Sequence, residues 1–111
     1  MWIQPRLDLR PSEYFQRQGY VTFSDDPVAL RCLSFTGAHS LLWGSDYPHP
    51  EGSWPVTRQQ QYDSLHGLPE DEIALLLGGN AIDFYGLDAE KLAPIAARIG
   101  PEKGTFKETS E

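Results

Sequence analysis

The sequence predicts an α/β fold with parallel strands, and three observations carry that expectation. Two short apolar runs, "YVTF" (Tyr20 to Phe23) and "LLWG" (Leu41 to Gly44), have the composition and length of strands. Each runs directly into Ser-Asp-x-Pro, at Ser24-Asp25-Asp26-Pro27 and again at Ser45-Asp46-Tyr47-Pro48. Between the two units, "VALRCLSF" places Val28, Leu30, Leu33 and Phe35 at helical spacing. A turn plus that helix gives the dozen or so residues that a crossover between parallel neighbours requires. The pattern is β–α–β.

The elements follow in order. Residues 1–10 are polar and irregular, with Trp2 and Ile3 as the strong apolar anchors. Pro11 and Ser12 start a short helical turn that Gly19 ends. In "SDDP", Asp25 or Asp26 can accept hydrogen bonds from free backbone N–H groups, and Pro27 fits the first helical position. Gly37 stops that helix before the second strand. "PHPEGSWP" (residues 48–55) is too rich in proline to be regular, whereas "VTRQQQYDSLHG" suits a helix ended by Gly67.

"LPEDEIALLLGGN" opens another helix. Pro69 stands near its start, Glu70, Asp71 and Glu72 lie where the helix dipole favours acids, and Ile73, Leu75, Leu76 and Leu77 supply a buried side. Gly78-Gly79-Asn80 is expected to interrupt it, and Pro94 to break "DAEKLAPIAARIG". The domain is expected over residues 1–100, with a flexible polar tail over 101–111.

Composition narrows the function classes. A chain of 111 residues makes at most one small domain, and 40% hydrophobic with 12% aromatic content suits a globular one. A net charge of −7, with nine scattered basic residues, argues against a nucleic-acid partner. The lone Cys32 cannot form an internal disulfide, and no Cys-x-x-Cys pair exists. The N-terminus lacks the apolar core of a signal peptide, and no stretch reaches the roughly 18 apolar residues of a membrane helix. These features predict a cytoplasmic protein.

The residue that asks for a role is Asp46. Side chains alternate along a strand, so a strand running to Asp46 puts Leu42, Gly44 and Asp46 on one face and Leu41, Trp43 and Ser45 on the other. In a β/α barrel the outer face needs bulk against helices, and the inner face must leave room near the C-terminal strand ends, where active sites lie. Gly44 leaves that room below Asp46. A capped surface turn is the ordinary alternative for Ser-Asp-x-Pro, and the copy at Asp25 and Asp26 is assigned to capping. His49, between two prolines, reads by itself as a loop residue, His39 lies at the opposite end of the strand, and His66 sits in a last helical turn.

Gly44-Ser45-Asp46-Tyr47-Pro48-His49 resembles a motif of the amidohydrolase-related family, metal-dependent TIM-barrel hydrolases and decarboxylases. The resemblance covers most of the chain: "PSEYF" and "YVTFSDDP" are similar to the segment through the seventh strand, and "LLWGSDYPHPEGSWP" to the eighth strand and its loop. Gly78-Gly79-Asn80-Ala81-Ile82-Asp83-Phe84-Tyr85-Gly86 resembles the closing helices, where Gly-x-Asn-Ala-x-x-x-Tyr-Gly is typical. The resemblance implies the last two β/α units of a (β/α)8 barrel, an incomplete barrel followed by C-terminal helices. It implies Asp46 as a ligand of a divalent metal, commonly zinc, and as the catalytic proton acceptor. It also places His49 and Tyr47 at the substrate entrance.

The sequence departs from the family in one respect that limits those roles. It contains no His-x-His pair, and one carboxylate cannot hold a catalytic zinc that takes three protein ligands. A full barrel needs about 250 residues. The expectation is therefore a truncated gene product, Met1 being an internal methionine of a longer reading frame, that binds no metal and is inactive alone. In the parent, hydrolysis and non-oxidative decarboxylation of a small-molecule substrate both stay open. The rival expectation is a non-catalytic interaction piece that self-associates or completes itself with an N-terminal chain, since two parallel strands leave edges and apolar helix faces uncovered.

Overall fold

A computed structural model describes residues 6–107. Trp2 and Ile3, expected to anchor the N-terminus, lie outside the described residues. Two strands, β1 (Val21–Phe23) and β2 (Leu41–Trp43), pair in parallel with Val21 opposite Leu41 and Phe23 opposite Trp43. One further ladder bond runs from the Gly44 N–H to the Phe23 carbonyl at 2.8 Å. Among the described residues the fold is thus mixed α/β, with a single parallel pair embedded among helices.

The crossover forms as its sequence demands at the start and differs in the middle. Helix α1 (Pro11–Gln18) precedes β1 and opens on a proline. After β1, the Asp26 carboxylate accepts the N–H groups of Val28 and Ala29 at 3.0 and 2.9 Å, with Pro27 in the first turn. The helix then divides into α2 (Pro27–Arg31) and α3 (Leu33–Thr36), because Cys32 departs from helical geometry at φ −89, ψ 2. Gly37 ends it at φ 76, a conformation that a Cβ disfavours.

Beyond the loop that follows β2, α4 (Thr57–Leu65) and α5 (Glu70–Ala74) form within the two stretches expected to be helical, α5 with Glu70, Asp71 and Glu72 in its first turn. The expected interruption at Gly78-Gly79-Asn80 does not occur. The helix instead widens into a π turn over Leu75–Gly79 and continues as α6 (Asn80–Tyr85), ending at the left-handed Gly86. A π turn carries more residues per revolution, so it re-phases the helix rather than breaking it. Leu76 then reaches the core and Asn80 reaches the strand, both almost fully buried.

Nor does Pro94 break α7 (Ala89–Ile99). This helix has no buried residue, so water can solvate the carbonyl that the missing proline N–H leaves free.

The core gathers Phe23, Leu41, Leu65, Ile73, Leu76 and Phe106, with Trp43 packed against it. Phe23, Leu41 and Trp43 share the sheet face toward the helices, as alternation requires, and Leu42 is buried on the other. Phe106 belongs to the stretch expected to be tail. It is buried, and its carbonyl accepts the Gly67 N–H at 3.2 Å, so the chain packs against the core as far as Phe106. The last four residues of the predicted tail, 108–111, lie outside the described residues. Among the described residues no helix is long and apolar enough to cross a membrane.

Asn80 ties the helical layer to β2. Its side-chain amide donates to the carbonyls of Ala38 at 2.6 Å and Leu41 at 2.7 Å, bracketing the start of the strand. Asn80→Ala strips the buried Leu41 carbonyl of its side-chain donor, while the Ala38 carbonyl keeps the Leu41 N–H, and is expected to cost about 2–3 kcal/mol. Thermal and urea unfolding followed by circular dichroism would check it; a cost under about 1 kcal/mol would refute the clamp.

Candidate functional site: the loop after β2

The strand ladder stops at Gly44, and Asp46 is placed by a turn instead of by strand alternation. Its φ is 55, the one described non-glycine residue with positive φ. Aspartate tolerates this left-handed conformation better than most residues, because its short polar side chain finds local partners. The alternation of Leu42, Gly44 and Asp46 therefore ends two residues early, and the expected face assignment of Asp46 does not follow from the strand.

Four local bonds hold the loop. The Tyr47 N–H donates to the Ser45 hydroxyl at 3.3 Å, and the His49 N–H to the Asp46 carbonyl at 2.9 Å. Farther on, the Gly52 N–H donates to the His49 carbonyl at 3.0 Å, and the Ser53 N–H returns to the Ser45 carbonyl at 2.8 Å. The peptides before Pro48 and Pro55 are cis. Buried Ser53 shares a 3.0 Å hydroxyl bond with Thr57, which pins the loop's exit to α4.

This path brings two of the predicted site residues together. The His49 ring Nδ1 lies 2.9 Å from Asp46 Oδ1. A carboxylate only accepts, so Nδ1 carries the hydrogen and donates, which leaves Nε2 as the lone-pair nitrogen of the neutral ring. Asp46 Oδ2 makes no side-chain hydrogen bond among the described residues, and the two side chains are 49% and 70% exposed. The pair faces solvent, open to whatever approaches the strand end. Tyr47 is exposed as well, and its ring meets that of Trp54 edge to face at 6.2 Å and 76°.

The other histidines are engaged elsewhere. His39 Nε2 lies 3.2 Å from the Gln16 carbonyl, and His66 Nδ1 lies 2.9 Å from that of Tyr62. Asp26 is a helix cap, and Asp25 accepts the Ser64 hydroxyl at 3.3 Å. Among the described residues no three His, Cys, Asp or Glu side chains converge on one point. Asp46 and His49 offer two donors, one fewer than a catalytic zinc takes from protein, so they do not make a complete metal site. Sequence reasoning missed Trp54, whose tryptophan-proline step inside a loop was the available signal. It also missed Gly52, which nothing short of the backbone path reveals.

The profile of the family described as Amidohydrolase matches residues 1–87. The chain belongs to the amidohydrolase family. The 2-amino-3-carboxymuconate-6-semialdehyde decarboxylase of Dictyostelium discoideum is 33% identical to it over 84 residues, which is 75% of this chain and 23% of that protein. This family member thus spans about a quarter of the length of the relative it matches. The family assignment agrees with the order of motifs from β1 to Gly86.

Proposed function

We propose that this amidohydrolase-family chain contributes the strand-end acid of a metal-dependent hydrolase site at the C-terminal mouth of a β/α barrel. Its β1 and β2 units act as the last two of that barrel, and the remaining donors for a divalent metal, zinc in the first instance, come from residues outside this chain. The observation that carries the reading is the Asp46–His49 pair. It stands immediately after a parallel strand, held by backbone bonds in a left-handed turn.

The chemistry assigned to these residues is simple. Asp46 is one metal ligand and accepts a proton at Oδ2, the oxygen that His49 leaves free. His49, through its Nδ1–H, fixes the rotation of the carboxylate. Tyr47 and His49 line the entrance for a small-molecule substrate, with Trp54 backing Tyr47. A metal held in such a site supplies Lewis-acid activation. Among the described residues the donors for that are incomplete, and on this reading the chain is inactive alone.

Decarboxylation is the second reading within the same family, favoured by the name of the Dictyostelium relative. It uses the same acid in the same place.

Calorimetric titration of zinc into the purified chain tests the ligand count. The expected result is no saturable site tighter than about micromolar, with Asp46→Asn weakening what remains. One zinc per chain bound at nanomolar affinity would overturn the proposal that the site is shared.

A further inference from the structure

We infer that Gly52 is the positioning residue that sets the Asp46–His49 pair, acting through the loop backbone. A Cβ built on Gly52 would stand 2.9 Å from the carbonyl oxygens of both Asp46 and Ser45, and 3.0 Å from that of His49. All three contacts are backbone atoms, which cannot swing aside as a flexible side chain would. Those carbonyls belong to the two members of the pair and to the residue on which the loop closes.

Glycine is therefore required here by close approach and not by φ, since Gly52 is not among the positive-φ glycines. Its missing side chain lets the chain return across its own entry. The Gly52 and Ser53 N–H groups then close on His49 and Ser45. That closure brackets Asp46 and holds its left-handed backbone in place. Adding one methyl group pushes the 45–49 arm away from the 52–53 arm. The carboxylate and the imidazole then part, because the methyl group presses separately on the carbonyls of both their residues. The exposed neighbours Pro50 and Glu51 carry no such constraint.

The inference deepens the proposed function and rests on it for its catalytic meaning, while the geometry stands by itself. It is testable in the chain as it exists by nitrogen-15 NMR of the imidazoles in buffer alkaline enough to keep the rings neutral. The His49 signals are assigned by their loss in His49→Gln. Wild type is expected to show His49 mainly as the Nδ1–H tautomer held by Asp46. Gly52→Ala is expected to reverse the dominant tautomer to Nε2–H, with the shifts of Leu65, Leu76 and Phe106 unchanged, and Glu51→Ala to leave it as in wild type. Retention of the Nδ1–H tautomer in Gly52→Ala overturns the inference. So does an equal reversal in Glu51→Ala, or collapse of the core shifts in Gly52→Ala, which makes the glycine a fold residue. Loss of the proposed function is read separately. If Asp46→Asn leaves turnover intact in an assembled enzyme, the catalytic reading fails whatever the tautomer shows.

Discussion

Asp46→Asn is expected to lower kcat by about a thousandfold or more in a chimera that carries this chain in place of the matched segment of the Dictyostelium decarboxylase. Asparagine keeps the shape and can still meet the His49 ring, but it has neither the negative charge nor the basicity of the carboxylate. The proposed proton acceptor and anionic ligand would be lost in one substitution with little change in volume. On the proposed role the effect belongs in kcat more than in KM, because the group would act on the reacting atoms and not on the remote parts of the substrate. Metal content and circular dichroism of the two chimeras should be compared alongside the kinetics. Turnover within about tenfold of the unsubstituted chimera, at equal metal content, would remove Asp46 from the chemistry.

That the acid was visible in the sequence while its setting was not has a physical cause. The strands were legible because short apolar runs bounded by turn residues fit few local conformations. The Asp26 cap and the stop at Gly37 were legible for the same reason, since capping and left-handed termini are decided within four residues. The burial of Leu41 and Trp43 toward the helices followed from a period of two. Where an outcome depends on distant contacts, the local pattern gave the wrong answer or none. Gly78 and Gly79 would halt an isolated helix, but here the π turn sets Leu76 in the core and Asn80 on the carbonyls of Ala38 and Leu41. Phe106 looked like part of a polar tail until the core offered it a place.

The site itself marks the limit most clearly. Alternation gave Asp46 a direction only on the assumption that the strand continued, and the ladder ends at Gly44. Its actual orientation comes from a left-handed φ, a return bond from Ser53 to Ser45, and a glycine whose relevance lies in what it fails to occupy. None of these has a periodic signature. They are agreements between residues six to eight apart along an irregular path, and such agreements appear only once the path is known.

The second large effect falls on the core. Leu65→Ala is expected to destabilise the chain by about 3–5 kcal/mol, the upper range for a leucine truncated in a closed interior. Leu65 is 0% exposed, at the end of α4, within the cluster that joins β1, β2, the α5–α6 helix and Phe106. A chain of this size has a stability of only about 5–15 kcal/mol at best. This one has less to draw on, because its sheet is two strands wide and α7 buries nothing, leaving Leu92, Ile95 and Ile99 at the surface. The loss should therefore be a large share of the total, read as a fall in the urea midpoint with little change in slope. The measurement needs several protein concentrations, because exposed apolar faces promote association that would add to apparent stability. Phe35→Ala, at a side chain 82% exposed, is the matching control and should move the midpoint by less than about 0.5 kcal/mol equivalent. If the two substitutions cost the same, the cluster around Leu65 is not what holds this chain together, and stability must come from association between copies.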